Sequence, residues 1–308
     1  MVIYGMQLPI QTLTRTLRMP WEDDASVADL VDIASAADRS GMDFIGVCDH
    51  VAIPDNDYAK NMTTTWYDTV ATLGYLAAQT TTVKLLSVVW IAAYRHPLQT
   101  AKSFSTLAHL SGGRTILGVG AGHVEAEFDA LGVPFKKRGK ILDETLEAVQ
   151  GTLGTEFASH HGEHYSYADV GIGPQPPNGE LPVWVGGNSP AAWRRAGRFG
   201  TGYIPMGNPK EQIPEIMGVV EQAAAEAGRS VDGFAMGYMP GLIYVGELDF
   251  DTGGWPAISG SPEQIAAALQ EAGDLGATTL HLRFANRSKA ELSDQIEAFG
   301  SEVAPLLR

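Results

Sequence analysis

Three side chains able to move or steer a proton stand where apolar runs give out into loops. Asp49 and His50 follow the run Phe44–Cys48, and His123 follows the glycine series Gly118-x-Gly120-x-Gly122 that ends the run Thr115–Val119. Histidine titrates near neutrality and can give or take a proton, while a carboxylate can orient it or tune a bound group. Neighbours on an extended strand point to opposite sides, so Asp49 and His50 are expected to contact different things, at least one of them a ligand. The glycines allow either a tight turn out of the strand or close backbone approach to a cofactor. His123 stands where a dinucleotide fingerprint requires Gly or Ala, so a Rossmann reading fails.

A second polar corner is Gly186-Gly187-Asn188-Ser189-Pro190, which joins an apolar run to a Pro-opened helix. Free backbone N–H groups and a helix N-terminus suit a phosphate, and Arg194 and Arg195 could add charge; the alternative is a simple N-cap loop. His160-His161-x-Glu163-His164 looks like a metal cluster, but it lies in an irregular stretch without cysteine and reads as an exposed polar loop. No metal is expected. Arg114, Arg138 and Glu127 read as structural ion-pair partners.

These groups exclude two chemistries. A Schiff-base aldolase needs a buried strand lysine, and the only strand candidate, Lys84, sits at the wrong end. A divalent-metal barrel needs carboxylates on several adjacent strand ends, and only Asp49 qualifies within strands two to five. Glycines, apolar side chains and one Asp-His pair suit a large flat ring that carries its own electrons.

The elements that must hold these residues alternate regularly. Strand-like runs occur at Val2–Leu8, Phe44–Cys48, Lys84–Trp90, Thr115–Val119, Pro182–Val185, Thr201–Met206, Phe234–Val245 and Thr278–Phe284, separated by helix-length segments. Pro at the first helical position follows His96, Ser189, Asn208 and Ser261, with capping boxes expected at Asn208/Glu211 and Ser261/Gln264. Gly41, Gly112, Gly200, Gly228 and Gly276 read as helix ends. Eight strand-first units predict an α/β fold, a (β/α)8 barrel formed by one domain over residues 1–308, with its chemistry at the strand C-termini. Residues 155–180, rich in His, Tyr, Gly and Pro, fit neither period and predict an insertion with a small hairpin before the fifth strand.

Composition narrows the partners. With 44% hydrophobic residues the chain can build a large core. The formal charge of −15 opposes polyanions and anionic membranes while leaving room for a small anionic cofactor in a locally basic pocket. One cysteine, Cys48, excludes an internal disulfide, and no apolar run is long enough to cross a bilayer. We expect a soluble, unprocessed cytoplasmic homo-oligomer acting on a small molecule, without nucleic-acid or membrane partners.

The segments CDHVAIP, YRHP, SGGR, LGVGAG, EAEFDALGVPFKKRGKILDE and PVWVGGNSP occur in this order. Together they make the chain resemble the bacterial luciferase-like flavin and deazaflavin enzymes, from Val2 to about Phe284. The resemblance implies a (β/α)8 barrel with an insertion and a tricyclic cofactor ring over the barrel mouth. It implies that Asp49 and His50 lie near the ring, and that Ser87 and Val88 form a bulge behind it, which in related enzymes contains a non-proline cis peptide. Gly120, Ala121 and Gly122 would flank the cofactor, and Gly186, Gly187 and Asn188 would hold its phosphate. The YRHP and SGGR segments are similar to the branch that uses coenzyme F420, implying hydride transfer with His50 or His123 supplying the proton and Asp49 tuning the ring. Members specific for glucose-6-phosphate carry Glu where this chain has His123, a departure that makes His123 the variable acid or base. The alternatives are an FMN-dependent monooxygenase served by a separate flavin reductase, and a flavin-binding protein without turnover.

Overall fold

The computed structural model describes residues 2–15 and 18–307; Met1, Thr16, Leu17 and Arg308 lie outside the described residues. Eight strands pair in parallel around a closed barrel: β1 (Ile3–Gln7), β2 (Phe44–Val47), β3 (Lys84–Ser87), β4 (Thr115–Gly120), β5 (Val183–Gly186), β6 (Gly202–Ile204), β7 (Ala235–Tyr238) and β8 (Thr279–Leu282). Closure comes from β4 against β5, in the register Leu117 to Val183 and Val119 to Val185, and from β8 against β1, Leu280 to Tyr4. The expected α/β barrel is thus the observed fold.

One helix layer surrounds it: α1 (Val27–Arg39), α2 (Thr69–Ala77), α3 (Pro97–Leu110), α4 (Arg138–Thr152), α5 (Pro190–Phe199), α6 (Ile213–Glu226), α7 (Pro262–Asp274) and α8 (Lys289–Ala298). A strand covered on both sides needs apolar residues on both faces, hence the unbroken apolar runs. Ile45, Leu85, Leu280 and Leu282 face outward onto α1 and α8 residues such as Leu30, Ile33 and Ile296. Phe44, Leu86, Ile116, Trp184, Ile204 and Ala235 fill the interior. Burying each such large side chain stabilises the fold by roughly 1.5–3 kcal/mol, so the barrel is a packed core open only at its ends.

Three local expectations are corrected. The run Phe234–Val245 is two strands, because Pro240 has no N–H to give a ladder and Gly241 lets the chain pass close to Pro256. Its second half, Leu242–Val245, pairs in parallel with Ala257–Gly260 and bridges from Ile243 to Phe284 beyond β8. The run Lys84–Trp90 breaks after Ser87, and Trp90–Ile91 returns alongside the end of β4. Asn208 forms no capping box, since its side chain is held by the Tyr203 hydroxyl and Gln212 while the helix begins at Ile213. Gly200 ends its helix as expected, as an extended C-cap with φ −87°, whereas Gly41, Gly112, Gly228 and Gly276 are left-handed. The box at Ser261/Gln264 does form.

Residues 158–161 and 166–170 make an antiparallel hairpin. The Glu144 carboxylate clips it to α4, accepting the His164 and Tyr165 amides at 2.9 and 2.7 Å.

Candidate active site

The mouth at the strand C-termini is floored by two valines. Past Ser87 the chain turns through a cis peptide between Val88 and Val89, and both side chains remain partly open to the mouth. They sit on glycines. A Cβ at Gly46 would stand 2.5 Å from Val88, and one at Gly120 or Gly186 would stand 2.4 or 2.7 Å from Val89. The space above Gly120 and Gly186 is therefore filled by Val89, and the flat surface offered to a ligand is the valine pair. Ser87 lies beneath it, its buried hydroxyl bonded to both the amide and the carbonyl of Gly118.

Asp49 and His50 diverge, as alternation along a strand requires. Asp49 is buried, and its carboxylate accepts the Ile91 amide at 2.8 Å and two N–H groups of Arg95. The Arg95 guanidinium stacks 3.5 Å above the Trp90 ring. Asp49 is thus a brace that ties the chain beyond the valine pair to β2.

His50 turns the other way, and its Nδ1 lies 2.8 Å from Glu127 Oε2. Glu127 is wholly buried and also accepts the Val51 and Ala52 amides and the Tyr94 hydroxyl. Burial would raise its carboxyl, but the hydrogen bond and charge of His50 with those two amides hold it below the usual glutamate value. Burial and Glu127 push the Tyr94 hydroxyl well above the usual tyrosine value. An ionised Glu127 keeps a proton on His50 Nδ1 and leaves Nε2 as the nitrogen that can exchange one. The His50 ring meets Trp66 edge-on at 4.3 Å and faces His123 at 6.1 Å. His123 is exposed at the rim; partial desolvation, then His50 and Arg138, lower its pKa against the pull of Glu127.

Gly120, Ala121 and Gly122 lead from β4 to that rim. Gly122 has φ +78°, a Cβ there would lie 2.7 Å from Phe128, and its carbonyl accepts Arg138 Nε, so glycine is required. At the opposite corner Gly186 is buried, Gly187 is half-buried with its carbonyl accepting the Tyr203 hydroxyl, and Asn188 is exposed before the N-terminus of α5. Ser189 caps that helix by accepting the Ala192 amide. Arg195 gives no charge here, because it is buried against Asp143 and the Gly139 carbonyl; Arg194 is exposed. Arg114 likewise departs from the ion-pair reading: it binds Thr80 and the carbonyls of Ala77 and Val83.

The sequence marked Glu127 as an ion-pair partner but not as the group that holds His50, and it gave no sign of the Arg95 brace of Asp49. Glu127 follows His123 by four residues, one helical turn, and that spacing was its only local signal. Arg95 lies in the YRHP segment, but nothing in the segment says that it reaches Asp49. Burial pushes the Cys48 thiol up to about 12, which removes it as a nucleophile at neutral pH. Among the described residues no group of His, Cys, Asp and Glu is arranged to hold a metal. No helix is long and apolar enough to cross a membrane, again among those residues.

Residues 6–252 match the model of the luciferase-like monooxygenases. An uncharacterized protein of Mycobacterium tuberculosis is 30% identical over 226 residues, covering 67% of this chain and 78% of its own. The F420-dependent glucose-6-phosphate dehydrogenase of Microbacterium testaceum is 29% identical over 212 residues, covering 66% of this chain and 60% of its own. Among solved structures, the coenzyme F420-dependent tetrahydromethanopterin reductase of Methanopyrus kandleri superposes with a TM-score of 0.77 at 19% identity, covering 100% of this chain and 99% of the other. The FMN-bound oxygenating component of 3,6-diketocamphane monooxygenase of Pseudomonas putida gives 0.80 at 17% identity, covering 100% and 99%.

Proposed function

Because the chain belongs to the luciferase-like monooxygenase family, we propose that it is a coenzyme F420-dependent oxidoreductase acting on a small organic substrate. The observation that carries the proposal is the His50–Glu127 pair on the rim beside the Val88–Val89 floor. A flat apolar floor with one oriented proton-exchanging histidine is what two-electron transfer to or from a ring needs from a protein. Relatives named as F420-dependent dehydrogenases, at about 30% identity, favour the deazaflavin over FMN.

The residues present fit such a group. Val88 and Val89, seated on Gly46, Gly120 and Gly186, would support the ring, and Ala121 and Gly122 would border it. Asn188 and the N-terminus of α5 would meet an anionic tail at the positive end of a helix, although the Gly187 amide is already bonded to the Ile204 carbonyl and the Ala192 amide to Ser189. When bound, the deazaflavin supplies a carrier that gives or takes a hydride. His50 Nε2 holds or moves the matching proton on the substrate heteroatom, Glu127 keeps that imidazole in one tautomer, and Trp66 limits its rotation. His123, facing His50, is the second proton-exchanging group. Asp49, saturated by Arg95 and Ile91, maintains the floor and moves no proton.

Titration of the full chain with F420 and, separately, with FMN tests this reading. Tighter binding of F420 supports it; tighter binding of FMN overturns it in favour of a monooxygenase supplied by a flavin reductase. F420 binding without hydride transfer across a panel of carbonyl and enone substrates points to a carrier without turnover.

A further inference from the structure

The same end of the barrel carries a cavity of about 870 Å³ on the side away from β3 and β4, between the ends of β1 and β8 and residues 251–256. Gln7, Arg15, Arg18, Glu22, Trp255 and Arg283 are among its walls. In a chain with 36 acidic and 21 basic residues, this cavity sets three arginines against two carboxylates, Glu22 and Asp251.

Arg283 is the unusual one. It follows β8 directly, and its backbone is fixed because its carbonyl accepts the Ile243 amide at 2.7 Å. Among the described residues its guanidinium has neither a carboxylate within ion-pair distance nor a hydrogen-bond partner, although the residue is half-buried. Glu22, the acidic group whose charge it feels, already accepts the Ile10 and Met19 amides at 2.9 and 2.8 Å. Arg18, by contrast, is paired with Asp23. A half-buried arginine facing a cavity without a protein partner offers several donors in a fixed fork that matches a carboxylate. The wall beside it is rigid: Ile10 is held at φ +71° with its amide on Glu22, and Gln11 spans from the Leu8 carbonyl to the Cys48 amide. A branched residue in the left-handed region is unfavourable and is kept only where the surroundings over-determine it. Arg283 follows β8 at the same end of the barrel as Asp49 follows β2, so the cavity and the mouth open at one end.

We propose that this cavity receives the substrate and that Arg283 selects for a substrate carrying a carboxylate. The inference rests on the redox reading for the word substrate, but the carboxylate site itself does not depend on it.

The test uses the full chain, with tryptophan fluorescence as the readout, since Trp255 lines the cavity and Trp21 donates to Asn286 on its wall. The probes are cyclohexanecarboxylate, cyclohexanecarboxamide and inorganic phosphate. The carboxylate is expected to bind saturably and at least about tenfold more tightly than the amide, and Arg283→Gln to lose about tenfold or more of that affinity while Arg283→Lys retains part of it. Arg283→Gln without ligand is expected to melt no lower than the unaltered protein, because it removes a half-buried charge that has no partner among the described residues. Equal binding of acid and amide, an unchanged Arg283→Gln affinity, or tighter binding of phosphate overturns the proposal. Should Arg283→Gln fail to fold, the acid and amide comparison on the unaltered chain decides alone. Failed carboxylate selectivity with intact F420 binding sinks this inference only, whereas failed F420 binding with intact selectivity sinks the functional reading only.

Discussion

His50 Nδ1 and Glu127 Oε2 lie 2.8 Å apart although 77 residues separate them, and the carboxylate is wholly buried where the imidazole reaches the rim. The pair links the end of β2 to the short helix Glu125–Ala130 after β4, so the tautomer of one histidine depends on two separate crossovers of the barrel. Its disruption has readable consequences.

Glu127→Gln is expected to lower turnover about 10–100-fold with little change in cofactor affinity, as for other carboxylates that orient a working histidine. Stability gives a second readout. The Glu127 carboxyl is held below its ordinary 4.5, so it stabilises the fold above that pH and loses its contribution as the pH falls through the folded value. Denaturant titrations from pH 7 down to below 4 should show a steeper loss for the unaltered protein than for the glutamine variant; parallel curves would rule out a folded-state role for the charge.

Asp49→Ala leaves the Arg95 guanidinium buried over Trp90 without its carboxylate and is expected to destabilise by about 3–5 kcal/mol. Because Asp49 also holds the Ile91 amide, the same variant should lose cofactor affinity. Calorimetric melting compared with Asp49→Ala/Arg95→Met measures the part due to the stranded charge, and the double variant should be the more stable of the two.

Gly120→Ala forces a methyl to within 2.4 Å of Val89 and is expected to cost about 1–3 kcal/mol and weaken ring binding. Adding Val89→Ala frees that space, so the double variant should recover stability relative to the sum of the two single changes. A double-mutant cycle without coupling would mean that Val89 does not rest on Gly120. Gly118→Ala, whose new carbon would strike the Ser87 carbonyl at 2.0 Å, has no such rescue.

His281 lies inside the barrel against Phe44, with Nε2 lacking a partner, and burial followed by the charge of Arg283 lowers its pKa to about 3. The unfolded chain binds this proton below about 6.5 and the folded chain only near 3, so stability falls as the pH drops through that window, by about 2 kcal/mol at pH 5. His281→Leu should remove that share of the acid sensitivity between pH 7 and 5, measured by urea unfolding at each pH.

Much of the architecture was open to reading from the chain alone. Strands buried on both faces announce themselves as short apolar runs, and Ser189-Pro190 and Ser261-Pro262 mark helix starts by local hydrogen bonding that needs no distant partner. Phe234–Val245 misled because apolarity persists through Pro240-Gly241 while the ladder cannot. The positions of Asp49, His50 and His123 at strand ends were legible for the same local reason, and so was the divergence of Asp49 from His50.

What the chain alone did not determine was whom these groups meet. Which carboxylate holds His50, that Arg95 saturates Asp49, that Val89 occupies the space above Gly120 and Gly186, and that Arg283 has no partner among the described residues are all consequences of barrel closure. Closure brings residues dozens of positions apart to a few ångströms, and a contact at that separation leaves no periodicity or spacing in the sequence from which to read it.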